Sequence, residues 1–245
     1  MADANVSSGH GAPDPFAEAA IARVDSGMVV GLGTGRAAAR GVRALGKRAA
    51  AEKLELTCVA TSAATAELAR ALGLRVVEFN HVSRIDVLFD GADEVDGELN
   101  MIKGGGAAMT RERIVAHACR AAGGVCIYMI DESKVSARLG AQRALPIEVI
   151  PFAQAYVLRE LERLSVLPGG SGDGVRRIQP GGAPLLTENG GRVLDVRIPE
   201  TVNICALAAA LDSCAGVIDH GLFFEECDEL IIELQSGLKV TRRGG

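Results

Sequence analysis

Residues 85–130, "IDVLFDGADEVDGELNMIKGGGAAMTRERIVAHACRAAGGVCIYMI", decide the fold. "IDVLFD" (85–90) and "VCIYMI" (125–130) are short apolar strands, and "TRERIVAHACRAAG" (110–123) between them reads as a helix. A strand, a helix and a strand in that order return the chain for a parallel pair. The same alternation runs upstream. "MVVGLG" (28–33) leads into the helical "GRAAARGVRALGKRAAA" (35–51), then come the strand "LELTCVA" (54–60), the helix "SAATAELARALG" (62–73) and the strand "RVVEF" (75–79). Asp14-Pro15 supplies an N-cap and a first-turn proline for a helix, "PFAEAAIARVDS", predicted to stop at Gly27.

From Leu145 the pattern changes. "LPIEVIP" is a strand and "FAQAYVLRELERLSV" has helical spacing; a loose "LPGGSGDG" (167–174) follows. "APLLTENGGRVLDVRI" (183–198) reads as a hairpin, its two-residue turn Asn189-Gly190 suited to positive φ. "TVNICALAAALDSCAG" is a helix and "VIDHGLFF" (217–224) a strand, giving a β-α-β-β-α-β-like unit. "DELIIEL" and "LKVTRR" are strands that can rejoin the first sheet. The expected fold class is α/β: a Rossmann-like, mostly parallel sheet with a second, smaller α+β (ferredoxin-like) domain. The expected division is a flexible tail at 1–13, a Rossmann-like catalytic domain at 14–143 completed by 225–245, and the smaller domain at 144–224.

Composition narrows the function. A formal charge of −5 with no basic stripe argues against nucleic acid and anionic membranes. Six phenylalanines, two tyrosines and no tryptophan leave little for base stacking. The six cysteines lack CxxC spacing and read as reduced core thiols of a cytoplasmic protein. The N-terminus has no secretory pattern, and no apolar run reaches membrane-spanning length.

Three loops fall at the carboxyl ends of strands, where ligands bind in such sheets. "GLGTGRAAA" offers glycines and a helix N-terminus, suited to a phosphate group. Gly33-x-Gly35-x-x-Ala38 fits the dinucleotide fingerprint, but the next strand ends in Thr61-Ser62 without the ribose-binding acid, which disfavours NAD. "DGADEVDGE" packs five acids into residues 90–98. It lacks the ligand spacing of an EF-hand, and no metal cage is expected. Carboxylates there can bind sugar hydroxyls, and crowding can raise one pKa. "KGGGAAMTRE" sets Lys103 before Gly104, Gly105 and Gly106, a pocket for developing negative oxygen. Its helix is expected to begin near Thr110 as N-cap, with Glu112 in the first turn, where the dipole would keep it ionised near neutral pH. Together these groups suit removal of a proton beside a carbonyl and stabilisation of an enediolate. That chemistry requires Glu112 and Lys103 to converge on opposite sides of one small pocket. The four histidines, His10, His81, His117 and His220, are read as structural or solvated.

At these residues the chain resembles the type A ribose-5-phosphate isomerase family. The matching segments are "GLGTG" (31–35), "TSAAT" (61–65), "DGADEVD" (90–96), "KGGGAAMTRE" (103–112), "DESK" (131–134), "LPIEV" (145–149), "TENG" (187–190) and "GLF" (221–223). The resemblance implies cofactor-free interconversion of D-ribose 5-phosphate and D-ribulose 5-phosphate in the pentose phosphate pathway, by a homodimer or homotetramer. It implies Glu112 as general base, Asp90 and Asp93 as hydroxyl-binding and ring-opening aspartates, and Lys103 with Gly104–Gly106 as the enediolate cradle. It further implies a substrate-binding Lys134 and contacts from Thr34, Gly35, Gly91 and Ala92. The family's GTGST motif is altered here, with Arg36-Ala37 in place of two hydroxyl residues. Arg36 is expected to replace them as a phosphate ligand. Two other classes compete, a non-catalytic sugar-phosphate sensor and an NAD-dependent dehydrogenase.

Overall fold

In the computed structural model, residues 13–167, 177–179 and 181–244 are described; the expected tail, but for Pro13, and most of the 167–174 loop lie outside them. The main sheet holds β1 (Val29–Leu32), β2 (Thr57–Ala60), β3 (Val87–Gly91), β6 (Val125–Asp131), β11 (Glu229–Leu234) and β12 (Gly237–Arg242). Its order is β12-β11-β6-β3-β1-β2, parallel except for the β11–β12 edge pair. The C-terminal strands rejoin the first sheet as the sequence indicates. Strand order reverses at β1, between β2 and β3, so a crevice opens beyond the carboxyl ends of β1 and β3.

Strand residues of alternate parity feed two cores. Val30, Leu32, Val87, Phe89, Ile127 and Met129 pack with α1 (Pro15–Ile21), α2 (Arg36–Glu52) and α3 (Ala63–Ala71). Leu88, Cys126, Tyr128 and Ile130 pack against α4 (Met109–Ala121). A second sheet, β8 (Arg192–Val196), β7 (Leu145–Val149) and β9 (Val217–His220), is antiparallel and shares a third core with α5 (Gln154–Arg163) and α6 (Ile204–Asp212). Between the two lies a small sheet of β10 (Leu222–Phe223), β5 (Met101–Ile102) and β4 (Glu94–Val95). The sequence reading did not anticipate β4 and β5.

Several elements differ from expectation. The first helix ends at Ile21, because Arg48 takes the Ile21 carbonyl at 2.9 Å and Val24 turns into the core. "RVVEF" contributes a single bridge, Val76 to Cys58, before the chain leaves as a 3-10 turn at Phe79–His81. The Asn189-Gly190 turn is centred instead on Glu188-Asn189, closed by the Gly190 amide on the Thr187 carbonyl; among the two expected residues only Gly190 has positive φ, at 80°. Its first arm makes isolated bridges, Ile178 to Pro184 and Leu186 to Arg192, so among the described residues the ferredoxin-like fourth strand is reduced to these contacts. "VIDHGLFF" splits at Gly221, where a β-carbon would meet the Lys103 carbonyl at 2.3 Å and the chain crosses between sheets. Thr110 does not cap α4. The cap lies two residues earlier, at Ala108, and the Thr110 hydroxyl donates to the buried Glu148 carboxylate.

Candidate active site

Asp90 shares the parity of Leu88, so β3 aims it at the α4 face. On α4, Met109, Glu112, Val115, Ala116 and Cys119 form one buried stripe at helical spacing. Glu112 therefore occupies a core position, which takes it out of the solvated first turn expected of a helix-dipole acid. β5 then delivers Lys103, whose amide donates to the Gly221 carbonyl at 2.9 Å. The Lys103 ammonium lies 2.9 Å from Asp90 Oδ2 and 3.3 Å from Glu112 Oε2. Neither contact is aligned as a hydrogen bond; the ammonium donates to the Gly91 carbonyl. The side chains of all three are at most 5% exposed. Glu112 and Lys103 are thus in direct contact within one buried cluster, rather than facing each other across an open pocket.

Burial dominates the electrostatics. It pushes the Glu112 carboxyl up to about 8, helped by the like charge of Asp90 and opposed by Lys103. The expectation of an ordinary ionised glutamate is reversed, because desolvation outweighs the helix dipole. Burial also raises Asp90, against the pull of Lys103 and the amides of Gly91 and Thr34. Desolvation draws Lys103 down, but Asp90 and Glu112 outweigh it and hold the ammonium charged. One ammonium faces two buried carboxylates, so the Asp90 charge adds to the rise at Glu112.

Around this cluster the loops interlock. Asp90 Oδ1 accepts from the amides of Thr34 at 3.0 Å and Gly91 at 2.7 Å. The approach requires glycine at 33, where a β-carbon would sit 2.1 Å from that oxygen. The Thr34 hydroxyl meets Thr61 Oγ1 at 2.7 Å and Ser62 Oγ at 2.9 Å. Asp93, half-buried, accepts from the Gly105 amide at 2.7 Å. Gly106 faces Thr34, and a cavity of about 120 Å³ lies between residues 61–62, 106–108 and 185–189. Gly104 lies against Met109 and Pro146. Gly35 precedes α2 without a side-chain cap, leaving the helix amides open beside exposed Arg36; Ala37 packs towards Gly91. Lys134 donates to the Ala92 carbonyl, and its pKa is lowered, first by burial and in part by the nearby charges of Lys103 and Arg36. All the sequence-derived candidates thus gather at one crevice. The reading missed Tyr128 and Phe223, whose ring centres lie 5.3 and 5.8 Å from the Lys103 ammonium, and Arg177, which grips the glycine loop. Only strand register puts Tyr128 beside Asp90, and register is not written locally.

A carboxylate made basic by burial, beside a fixed positive charge, is suited to moving a proton on carbon, which is the chemistry of an isomerase. The family model for ribose 5-phosphate isomerase A (phosphoriboisomerase A) matches residues 57–237. Ribose-5-phosphate isomerase A of Lactococcus lactis subsp. cremoris is 41% identical over 217 residues, covering 89% of this chain and 92% of its own. That of Thermomicrobium roseum is 39% identical, covering 95% and 94%. Among solved structures, a D-ribose-5-phosphate isomerase in complex with phospho-erythronic acid superposes with a TM-score of 0.84 at 31% identity, covering 93% of this chain and 96% of that one. Ribose 5-phosphate isomerase A from Neisseria gonorrhoeae gives 0.81 at 32% identity, covering 94% and 95%. The chain belongs to the ribose 5-phosphate isomerase A family.

Proposed function

We infer that this protein interconverts D-ribose 5-phosphate and D-ribulose 5-phosphate, with Glu112 as the base that carries a proton between C2 and C1 of the open-chain sugar. The observation that carries this reading is the buried contact of Glu112 with Lys103. A base near pKa 8 is strong enough to take a carbon-bound proton, yet about a tenth ionised at pH 7. Lys103 offers its charge to the oxygens of the cis-enediolate as it forms, together with amides of Gly104–Gly106. Asp90, its Oδ1 held by two amides and its Oδ2 paired in charge with Lys103, anchors Lys103 and the Thr34 loop. Asp93 is the acid left to meet sugar hydroxyls and assist ring opening. The open amides of α2, with Arg36 and Lys134 beside them, suit the phosphate.

Assembly into a homodimer or homotetramer is part of the same proposal. It is supported by exposed Ile150, Phe152 and Tyr156, of which Phe152 is 98% exposed. Sedimentation as a monomer at micromolar concentration would rule that out. Among the described residues no helix is long and apolar enough to cross a membrane.

The test is turnover of ribose 5-phosphate without added NAD or metal. Glu112→Gln should lower kcat about 10²–10⁴-fold with KM little changed, because it removes the base and keeps the shape. Arg36→Ala should instead raise KM and largely spare kcat. Binding without turnover in the unaltered protein would select the sensor reading.

A further inference from the structure

Arg177 reaches the glycine loop from the second sheet. Its amide donates to Val193 of β8 at 2.9 Å, and its guanidinium forks onto Asp195 of the same strand, Nε to Oδ2 at 2.7 Å and Nη2 to Oδ1. That bidentate pair fixes the plane of the guanidinium. The remaining nitrogen, Nη1, donates to the carbonyls of Gly104 at 2.7 Å and Gly105 at 3.1 Å.

The consequence follows from peptide geometry. In a trans peptide the carbonyl and the following N–H point in opposite directions. Holding the Gly104 carbonyl towards Arg177 turns the Gly105 N–H away, and it meets Asp93 Oδ2 at 2.7 Å. Holding the Gly105 carbonyl the same way turns the Gly106 N–H to the same side as Asp93. Among the described residues that N–H has no acceptor. The Ala107 amide shares the hold on the Gly104 carbonyl at 2.9 Å, closing a turn within the loop, whereas the Gly105 carbonyl is held by Arg177, and glycine has no side chain to fix that peptide otherwise. The positive charge on the carbonyls also polarises both amides towards the opposite side.

We propose that Arg177 is a positioning residue for the isomerisation: it orients and polarises the Gly105 and Gly106 amides that receive the enediolate oxygens and Asp93. The proposal rests on the isomerase reading above. It gives the second sheet a part in the chemistry, because Asp195 belongs to its strand β8 and Arg177 is bonded along that strand's edge.

The experiment compares the unaltered protein with Arg177→Ala and Asp195→Asn, the latter keeping the guanidinium but weakening its fork. Turnover of ribose 5-phosphate is measured with binding of two probes. One is phospho-erythronic acid, whose planar carboxylate carries two oxygens as an enediolate does; the other is ribitol 5-phosphate, which carries no such anion. Arg177→Ala should lower kcat about 10–100-fold, below the cost of losing an oxyanion donor outright, with KM within about threefold. Phospho-erythronic acid should bind the variant more weakly by a similar factor, and ribitol 5-phosphate should not. Added methylguanidine should restore part of kcat, and the Gly106 amide resonance should shift in both variants. Asp195→Asn should show the same pattern at smaller amplitude, and it serves alone if Arg177→Ala does not fold. Variant kcat within twofold of the unaltered protein, or equal weakening of both probes, overturns the role of Arg177 alone. An unaltered protein that does not turn over ribose 5-phosphate overturns the isomerase reading and this inference with it.

Discussion

Each of the five acids at residues 90–98 has its own donors, which is how the chain tolerates the crowding. Asp90 takes two amides and lies beside the Lys103 charge, Asp93 takes the Gly105 amide, and Asp96 takes the amides of Glu98 and Asn100. Glu94 accepts four amides, from Gly140, Ala141, Gln142 and Arg143, and Glu98 faces the Asn100 side-chain amide. The crowding of acids beside Lys103 was legible in the sequence; their distant partners, Thr34 and the amides of 140–143, were not, since loop closure over tens of residues leaves no local mark. Glu112 carries the sharpest consequence. With its carboxyl near 8, kcat/KM should climb about tenfold per pH unit from 6.5 and level off above pH 8. A flat profile over that window, read from initial rates, would contradict a buried base. Stability should run the other way. Between the ordinary value of 4.5 and about 8 the folded chain keeps a proton that the unfolded chain has released, so the contribution of Glu112 to stability falls as pH rises through that window. Glu112→Gln should therefore gain more in Tm over the unaltered protein at pH 8.5 than at pH 5.

At the scale of elements, the helices and longer strands followed from period and capping. Asp14 accepts from the Ala17 amide and Ser62 from Thr65, as their positions suggest. The two-residue strands β4, β5 and β10 have no such signature, because each exists only through its neighbour. The loop at 139–143 is the extreme case. It has no regular structure, and its amides at 140–143 converge on one buried carboxylate, Glu94. Since hydrogen bonds to a charged group are worth about 1.5–3 kcal/mol each, and several are lost together, Glu94→Ala should cost about 3 kcal/mol or more. Urea unfolding gives the total, and hydrogen exchange gives the location: amides 140–143 should lose protection first. A stability change below 1 kcal/mol, with those amides still protected, would mean the loop is held by something else.

Across the whole molecule, the parallel order of the main sheet and the return of its last two strands were legible, whereas the joints between the sheets were not. One joint is Arg113, next in sequence to Glu112. Its guanidinium pairs with Asp219 at 2.8 Å and Glu226 at 2.7 Å, donates to the carbonyls of His220 and Leu222, and lies 4.0 Å over the Phe223 ring. Phe223 also neighbours Lys103, and Gly221 beside it accepts the Lys103 amide. Arg113 thus ties α4, which carries Glu112, the proposed base, to the crossing between β9 and β10 that seats Lys103. A helix surface arginine would be spared by substitution; this one would not. Arg113→Met keeps much of the length but leaves Glu226 and Asp219 without their cation in a site where both are at most 10% exposed. Breaking a buried pair in this way costs about 3–5 kcal/mol. At about 2–4 °C per kcal/mol for a chain of this size, Tm should fall by about 6–20 °C. Because the contact bridges two cores, calorimetry should also show a transition broader than that of the unaltered protein, or split, with kcat falling as Lys103 loses its seat. An unchanged, equally sharp transition would mean that the apolar contacts alone hold the sheets together and that Arg113 is a passenger.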